Sequence, residues 1–530
     1  MLTNEVGRLL PEQVGDYRVR PYAGLGGMRP AAGTVHTARR QALRRPGASK
    51  LCADLKEAIQ GSGLRNGMTI SFHHSFREGD MVLGQVLSVV RELGIRGLKL
   101  APSAVVNPCG VSLAGFVADG TVDRIEASGI RGELGDGIVD GTLTLAQPVI
   151  LRPHGGRPRA IEAGELTVDV AFIAVSAADE YGNCTGRTGQ HPCGSLGYSF
   201  IDAHSAGCVV AVTDTLVDYP CCPASISQQY IDYVVKVDRV GDPQAIGAGA
   251  ARLTKNPRDL MIARQVADVI AASRRFCGGF SFQTGVGAIS IACASRLADT
   301  MKERKITASF ALGGITSSII DLYDAGLVRA VECSQSFDAE AATAFAGRPG
   351  VCEIDNADYA NPFSKGGFLN RLNFGVLGAL EVDTDFNINI LTGASGRIMG
   401  GLGGGPDVAG GADLPIVALP IIRGRIPSVV GRVTTCCTPG ETVACVVTQA
   451  GIAVNPRHKN GAELQEDLAR AHIPTVEIGE LCRIAESLTG RPLPTLVSDE
   501  VAAIVEYRDG TVLDVIRKRV DVAGDAAGQL

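Results

Sequence analysis

Val168-Asp169-Val170-Ala171-Phe172-Ile173-Ala174-Val175 is a mostly apolar run rich in Val and Ile. A strand with one wet face alternates polar and apolar residues; a strand buried on both faces of a parallel sheet has no need to. Cys208 to Thr213 reads the same way. Working outward, Gly67 to Phe72 and Gly97 to Leu100 are short strands, and each follows a stretch with apolar residues at helical spacing, Leu51 to Ser62 and Val82 to Leu93. Helix and strand alternate, as in an α/β domain with a mainly parallel sheet.

The same order returns downstream. Asp268 to Arg274 is helical, and Gly279 to Gln283 is a strand entering a glycine-rich turn. Ser309 to Leu312 is a strand, Ile319 to Ala325 a helix, and Phe374 to Leu380 a strand leading to Asp383-Thr384-Asp385-Phe386-Asn387. Asp179-Glu180-Tyr181-Gly182-Asn183 holds the matching place about 204 residues earlier, and Phe72-His73 and Phe282-Gln283 are separated by nearly the same interval. The spacing predicts an internal duplication: two similar α/β domains with mainly parallel sheets, one over 51–262 and one over 263–530. A C-terminal capping element closes the second, with Ala502 to Glu506 and Val512 to Ile516 flanking Asp509-Gly510 as a hairpin. Residues 1–50 form an N-terminal arm ending in the basic stretch Arg39 to Arg45. The arm either packs on a neighbour or partner or is a solvated tail.

Composition narrows the function. With 530 residues, 45% of them apolar, the chain can bury sizeable cores. A net charge of -6 and the lack of a long basic block argue against nucleic acid as the main ligand. No run of about 18 apolar residues predicts a membrane helix. The first residues lack the apolar core of a secretory signal, and the 15 cysteines are scattered without a C-x-x-C, so a reduced, cytoplasmic chain is expected. Arg outnumbers Lys 40 to 10, which reflects either coding bias or a preference for forked recognition of carboxylates and phosphates.

The 66 glycines concentrate in turns that follow strands. Gln283-Thr284-Gly285-Val286-Gly287 is one, Leu312-Gly313-Gly314-Ile315-Thr316 a second, and Met399-Gly400-Gly401-Leu402-Gly403-Gly404-Gly405-Pro406-Asp407 a third. Such turns can hold a phosphate, a carboxylate or an oxyanion on backbone amides, although tight packing alone also uses glycine. None is followed by Gly-Lys-Ser/Thr, and none fits the dinucleotide fingerprint. Polar side chains cluster near strand ends: His73, His74 and Arg77; His154-Gly155-Gly156-Arg157; and Arg423-Gly424-Arg425. His73 and His74 are adjacent, so on a strand they point to opposite faces and at most one reaches a shared site. No three ligands converge on a metal. No G-x-S-x-G elbow or recognisable Cys-His pair supplies a nucleophile, which favours chemistry in which a substrate carboxylate attacks and the protein positions it and stabilises the oxyanion.

Several stretches together closely resemble the citrate lyase alpha subunit family. They include Ile70-Ser71-Phe72-His73-His74, Phe76-Arg77-Glu78-Gly79-Asp80, His154-Gly155-Gly156-Arg157, Ala178-Asp179-Glu180-Tyr181-Gly182-Asn183 and Cys193-Gly194-Ser195-Leu196-Gly197-Tyr198 in the first half. The second half adds Phe280-Ser281-Phe282-Gln283-Thr284-Gly285, Phe310-Ala311-Leu312-Gly313-Gly314-Ile315-Thr316, Tyr359-Ala360-Asn361 and Ile422-Arg423-Gly424-Arg425-Ile426-Pro427. The resemblance runs in order from about Leu51 to Val520. It implies two coenzyme A transferase-like α/β domains and the exchange of acetate for citrate on a carrier thioester. It implies no cofactor on this chain itself, a phosphoribosyl-dephospho-coenzyme A arm on a gamma (acyl carrier) subunit, and a beta subunit that cleaves the citryl thioester.

Related transferases link coenzyme A to a glutamate in the turn that resembles Leu312 to Ile315, which here holds no acid, so a sequential route through a mixed anhydride is expected. The residues expected to act are the amides around Gly285, Gly313, Gly314 and Gly403 for oxyanions, and Arg77, Arg157 and Arg425 for carboxylates. His73, Gln283 and Asn361 are further polar candidates. The family usually carries a His two residues before the Asp of the last glycine-rich turn; Gly405 stands there, which leaves citramalate open as a substrate. A stand-alone coenzyme A transferase or thioester hydrolase, and a non-catalytic scaffold, are the other readings.

Overall fold

Asp54 shows how local chemistry sets the first boundary. Its side chain accepts the Glu57 amide at 2.8 Å, and Glu57 reaches back to the Ala53 amide at 2.6 Å. This reciprocal cap starts the helix at Leu55 rather than at Leu51 as the spacing predicted, and leaves Leu51–Cys52 free to pair as a strand. The computed structural model describes residues 1–29, 47–105, 112–247, 254–285, 287–493 and 495–520. The basic stretch Arg39 to Arg45 lies outside them.

The first sheet takes β1 (Leu51–Cys52), β2 (Thr69–Ser71), β3 (Leu98–Leu100), β4 (Val122–Ala127), β5 (Val149–Leu151), β6 (Val170–Ala174), β7 (Cys208–Thr213) and β8 (Tyr233–Lys236). The second takes β9 (Ser281–Thr284), β10 (Ala308–Ile315), β11 (Val328–Ser336), β12 (Val351–Glu353), β13 (Phe374–Leu377), β14 (Leu414–Ala418), β15 (Cys445–Thr448) and β16 (Gly451–Val454). Within these two sets every pairing is parallel except β15 with β16.

The central strand orders correspond. The first sheet runs β5-β4-β3-β2-β6-β7-β8, and the second runs β12-β11-β10-β9-β13-β14-β15. In each, the earliest of these strands lies inside the sheet and the next ones build outward on either side. The correspondence extends to the Asp-to-Asn turns. Asp179 accepts the amides of Tyr181, Asn183 and Cys221; Asp383 accepts those of Asp385, Asn387 and Val433. Gly182 has φ 96° and Phe386, at the equivalent place, φ 64°.

Two boundaries differ from the sequence reading. The C-terminal hairpin, β17 (Val497–Glu506) and β18 (Val512–Arg519), was expected to cap the second domain. Instead β17 pairs in parallel with β5, so the hairpin extends the first sheet. Arg152, just past β5, pins it there by donating to Glu506 of β17 at 2.7 Å and to Glu126 of β4. The helix Pro257–Ala272 starts six residues before the expected second domain, and its buried Ile262, Val266 and Ile270 pack in the second sheet's core. Residues 1–29 of the arm lie on their own chain. Leu10 and Val19 pack against Ile504 and Val512, and Tyr22 against Tyr507 at 5.0 Å between ring centres.

Ile504, fully buried between arm and sheet, therefore holds three segments together. Ile504→Ala should cost about 3 kcal/mol in urea unfolding, whereas Leu493→Ala should stay within about 0.5 kcal/mol; Leu493 is 88% exposed.

Candidate active site

In an open parallel sheet, the connections leaving two neighbouring strands in opposite directions open a crevice at the strands' carboxyl ends. The strand order reverses at β2 in the first sheet and at β9 in the second. A cavity of about 790 Å³ lies between these two places, walled by both sheets. From the first sheet come His74 and Arg77, which follow β2, and His154, which follows β5, with Tyr198 ahead of the helix Ser199–Ser205. From the second come Gln283 to Gly285 at the end of β9, Gly314 on β10, Phe337 past β11, and Gly401 to Gly405.

The adjacent histidines divide as their alternation requires, but the one that reaches the cavity is His74. His73 turns into the first domain, where its Nε2 lies 2.9 Å from Asp202. Asp202 also accepts two hydrogen bonds of 2.8 Å from Arg157 and one from the Ser71 hydroxyl. Burial alone would raise the Asp202 carboxyl, yet Arg157 and His73 hold it well below the usual carboxylate range. This knot replaces the expected roles of both residues: Arg157 does grip a carboxylate, but it is the protein's own.

On the cavity side three rings meet. His74 and His154 each lie 4.8 Å from Tyr198 between ring centres, and 5.6 Å from each other. His74 Nδ1 is 2.5 Å from the Ser103 hydroxyl. Burial, with His154 and Arg77 nearby, pushes His74 well below its ordinary value; burial, with Arg77 and Arg157, lowers His154 to about 3. Burial pushes the Tyr198 phenol up, so it keeps its proton, and its hydroxyl pairs with His154 Nδ1 at 2.5 Å. The His154 backbone amide donates to the Gly403 carbonyl at 2.9 Å, which sets the neutral ring beside the Gly403 turn.

Two glycines in the second wall have a steric reason. A Cβ on Gly314 would lie 1.7 Å from the Phe337 ring, and one on Gly313 would lie 2.6 Å from the Gln283 amide. Phe337 in turn supports Arg77, whose guanidinium stands 5.0 Å over its ring. Arg77 has φ 52°, an uncommon backbone for a non-glycine residue, at the point where its side chain enters the cavity.

The structure brings Arg77, Gln283, Gly285, Gly314 and Gly403 to one cavity. Gly313 stands one residue behind, against Gln283. His73, Arg157, Asn361 and Arg425 are elsewhere. Asn361 is buried and donates to Glu162 at 2.5 Å. Arg425 is exposed at a two-residue turn between Ile422–Arg423 and Ile426–Pro427, and it is Arg423 that lines the cavity. Sequence reasoning also missed Arg258, which sits in no glycine-rich motif, and Arg131, which stands between Gly129 and Gly132.

Charge in the cavity is lopsided. Four guanidinium groups line it: Arg77, Arg131, Arg258 and Arg423. Among the described lining residues Asp259 is the only acid, its carboxylate 3.2 Å from Arg258, and none is a cysteine. Among the described residues no group of three or more His, Cys, Asp or Glu could hold a metal ion, and no helix is long and apolar enough to cross a membrane.

Residues 48–519 match the family model described as citrate lyase, alpha subunit. The chain is 47% identical over 498 residues to the citrate lyase alpha chain of Klebsiella pneumoniae, covering 94% of this chain and 95% of that one. It is 49% identical over 469 residues to that of Escherichia coli, covering 88% and 91%. Among solved structures, one described as a citrate lyase alpha subunit from Streptococcus mutans in complex with citrate superposes with a TM-score of 0.93 at 41% identity, covering 98% of this chain and 100% of that one. The alpha subunit of a malonate decarboxylase from Acinetobacter baumannii, at 15% identity and TM-score 0.59 over 84% of this chain and 93% of that one, shares the fold.

The neutral histidines give a signed pH dependence. Below about pH 6.5 the unfolded chain takes up protons that the folded rings refuse, so stability falls as pH drops from 6.5 toward 3. His154→Asn keeps an acceptor for Tyr198 and removes this titration. Measured by urea unfolding, the stability gap between wild type and variant should shrink by roughly 2 to 3 kcal/mol from pH 7 to pH 4. A gap independent of pH would mean that His154 titrates normally in the fold.

Proposed function

The chain belongs to the citrate lyase alpha subunit family, and from that premise we propose that it moves a carrier thiol from acetate to citrate: citrate plus acetyl carrier gives citryl carrier plus acetate. The observation that carries the route is the cavity's composition, four guanidiniums with one ion-paired acid and no cysteine. Such a wall attracts polyanions, and among its described residues it offers no cysteine and only the ion-paired Asp259 as an acid to hold an acyl group.

A citrate carboxylate oxygen attacks the acetyl carbonyl; the new C–O bond forms as the C–S bond breaks, giving a mixed anhydride and a thiolate. The thiolate then attacks the citryl carbonyl, a C–S bond forms, and acetate leaves with the bridging oxygen. No net proton is exchanged. Each addition places negative charge on a carbonyl oxygen. The His154 ring and the Gly403 turn are the donors placed beside it, with Gly314 at the end of β10 on the facing wall, while Arg77 neutralises the remaining carboxylates. Asp407 acts on position: it follows the Gly401 to Gly405 turn, and its carboxylate accepts the Gly155 amide at 2.9 Å, tying the second sheet's turn to the loop that bears His154.

The partners in this reading are a gamma subunit, whose phosphoribosyl-dephospho-coenzyme A arm supplies the thiol, and a beta subunit that cleaves the citryl thioester. Gly405 lines the cavity at the place where the family resemblance leads to the expectation of a His, so citramalate belongs in the same assay as a competing substrate.

With acetyl-coenzyme A standing in for the carrier, His154→Asn should lower kcat by about 10²–10³ and leave the KM for citrate within about threefold. Asp259→Asn should retain turnover within about tenfold. Loss of all turnover in Asp259→Asn, together with coenzyme A attached to Asp259 in the wild type, would overturn the route.

A further inference from the structure

The cavity holds a second cationic group, on elements other than those that carry Arg77 and His154. Arg423 lies on one arm of the hairpin Ile422–Arg423/Ile426–Pro427, whose turn sends it inward. Arg258 lies in the first turn of the helix Pro257–Ala272. Its Nη1 is 3.5 Å from the Ile422 carbonyl, so the two arginines flank one another. Asp259 answers Arg258 at 3.2 Å, but among the described residues no carboxylate comes within ion-pair distance of Arg423. Arg423 is half-buried and gives one hydrogen bond, to the Ala379 carbonyl, which leaves most of its five N–H donors uncommitted. Burial and the neighbouring Arg258 charge both weigh against its charged form and lower its pKa. Guanidinium stays ionised all the same, so a positive charge is held here against two costs.

The surroundings point to phosphate. Ala288 and Ser290, on the same cavity wall, begin the 17-residue helix Ala288–Arg304, whose free amides and dipole favour an anion. Apolar Leu377, Ala418 and Pro420 line the same cavity. A compact tricarboxylate is served by Arg77 and the rings around His154. A long ligand with a thioester at one end and a diphosphate further along its chain would use both groups.

We propose that Arg258 and Arg423 form the seat for the diphosphate of the nucleotide-linked thioester, while the acyl end meets the glycine-rich turns. The proposal rests on the transferase reading above. It assigns these two arginines to the carrier substrate and not to citrate.

The test is binding by titration calorimetry to the full-length protein, with dephospho-coenzyme A, pantetheine, inorganic diphosphate and citrate as separate probes. Arg423→Gln, which can still donate to Ala379, should weaken dephospho-coenzyme A and diphosphate at least tenfold and leave pantetheine and citrate within about twofold. Arg423→Lys should fall between. Arg258→Gln should act in the same direction, and a melting temperature for each variant separates a lost seat from a lost fold. In turnover, the KM for acetyl-dephospho-coenzyme A should rise at least tenfold in Arg423→Gln, while kcat/KM for acetyl-pantetheine stays within threefold. Unchanged dephospho-coenzyme A affinity, or an equal loss of citrate affinity, would overturn the seat. A wild type that binds dephospho-coenzyme A but forms no citryl thioester from any acetyl donor would sink the transferase reading instead, and the binding series would still decide the seat.

Discussion

Everything at the active site depends on where two strands end. β2 and β9 sit at the reversal points of two parallel sheets with the same central strand order, and their carboxyl ends face one cavity. β2 ends at Ser71, and His73 and His74 follow it by two and three residues, so the sheet fixes where they start. At β2 the aim is enforced from behind: Asp202 takes His73, Arg157 and Ser71 together. Turning His73 outward would leave a buried carboxylate short of partners, which costs far more than a surface contact gains. His74 faces the cavity because its neighbour is held.

The second wall is positioned by close packing. Phe337 can lie over Gly314, and Gln283 against Gly313, because neither glycine has a side chain. Glycine at the end of β10 therefore lets neighbouring side chains in against the backbone that lines the cavity. Asp407 closes the arrangement by tying the last glycine-rich turn to the His154 loop across the two sheets. The resulting site is rich in cations and in neutral donors: among the described lining residues Asp259 is the one acid, with Glu78 behind, 3.4 Å from Arg77 and 3.6 Å from Arg131. That suits a reaction in which two carboxylates exchange places on sulfur, since a protein carboxylate would compete as a third.

Much of this was legible from sequence. Runs such as Val170 to Ala174 and Cys208 to Thr213 read as buried parallel strands because nothing in them alternates. The paired Asp-to-Asn turns marked the repeat because each carboxylate must answer the same set of backbone amides. What resisted reading was pairing over long distance. The hairpin at Val497 to Arg519 looks like a local cap, and nothing local says that its partner is Val149 to Leu151, more than half the chain away. The arginines failed for the same reason. Arg157 and Arg425 stand in glycine-containing motifs and invite a ligand role, but one is taken by Asp202 and the other sits on the outer side of its turn. His74 and Arg423, which line the cavity, stand one and two positions from the expected His73 and Arg425, a shift that decides which way each side chain faces.

The central claim is that the incoming acid attacks the thioester directly. It is tested by a single turnover, enzyme in excess, with citrate labelled in its carboxylates with heavy oxygen. Direct attack sends one citrate oxygen into the first acetate released, so that acetate carries a single label. Unlabelled acetate in the first turnover, with heavy oxygen found on an aspartate or glutamate of the protein, would contradict the account.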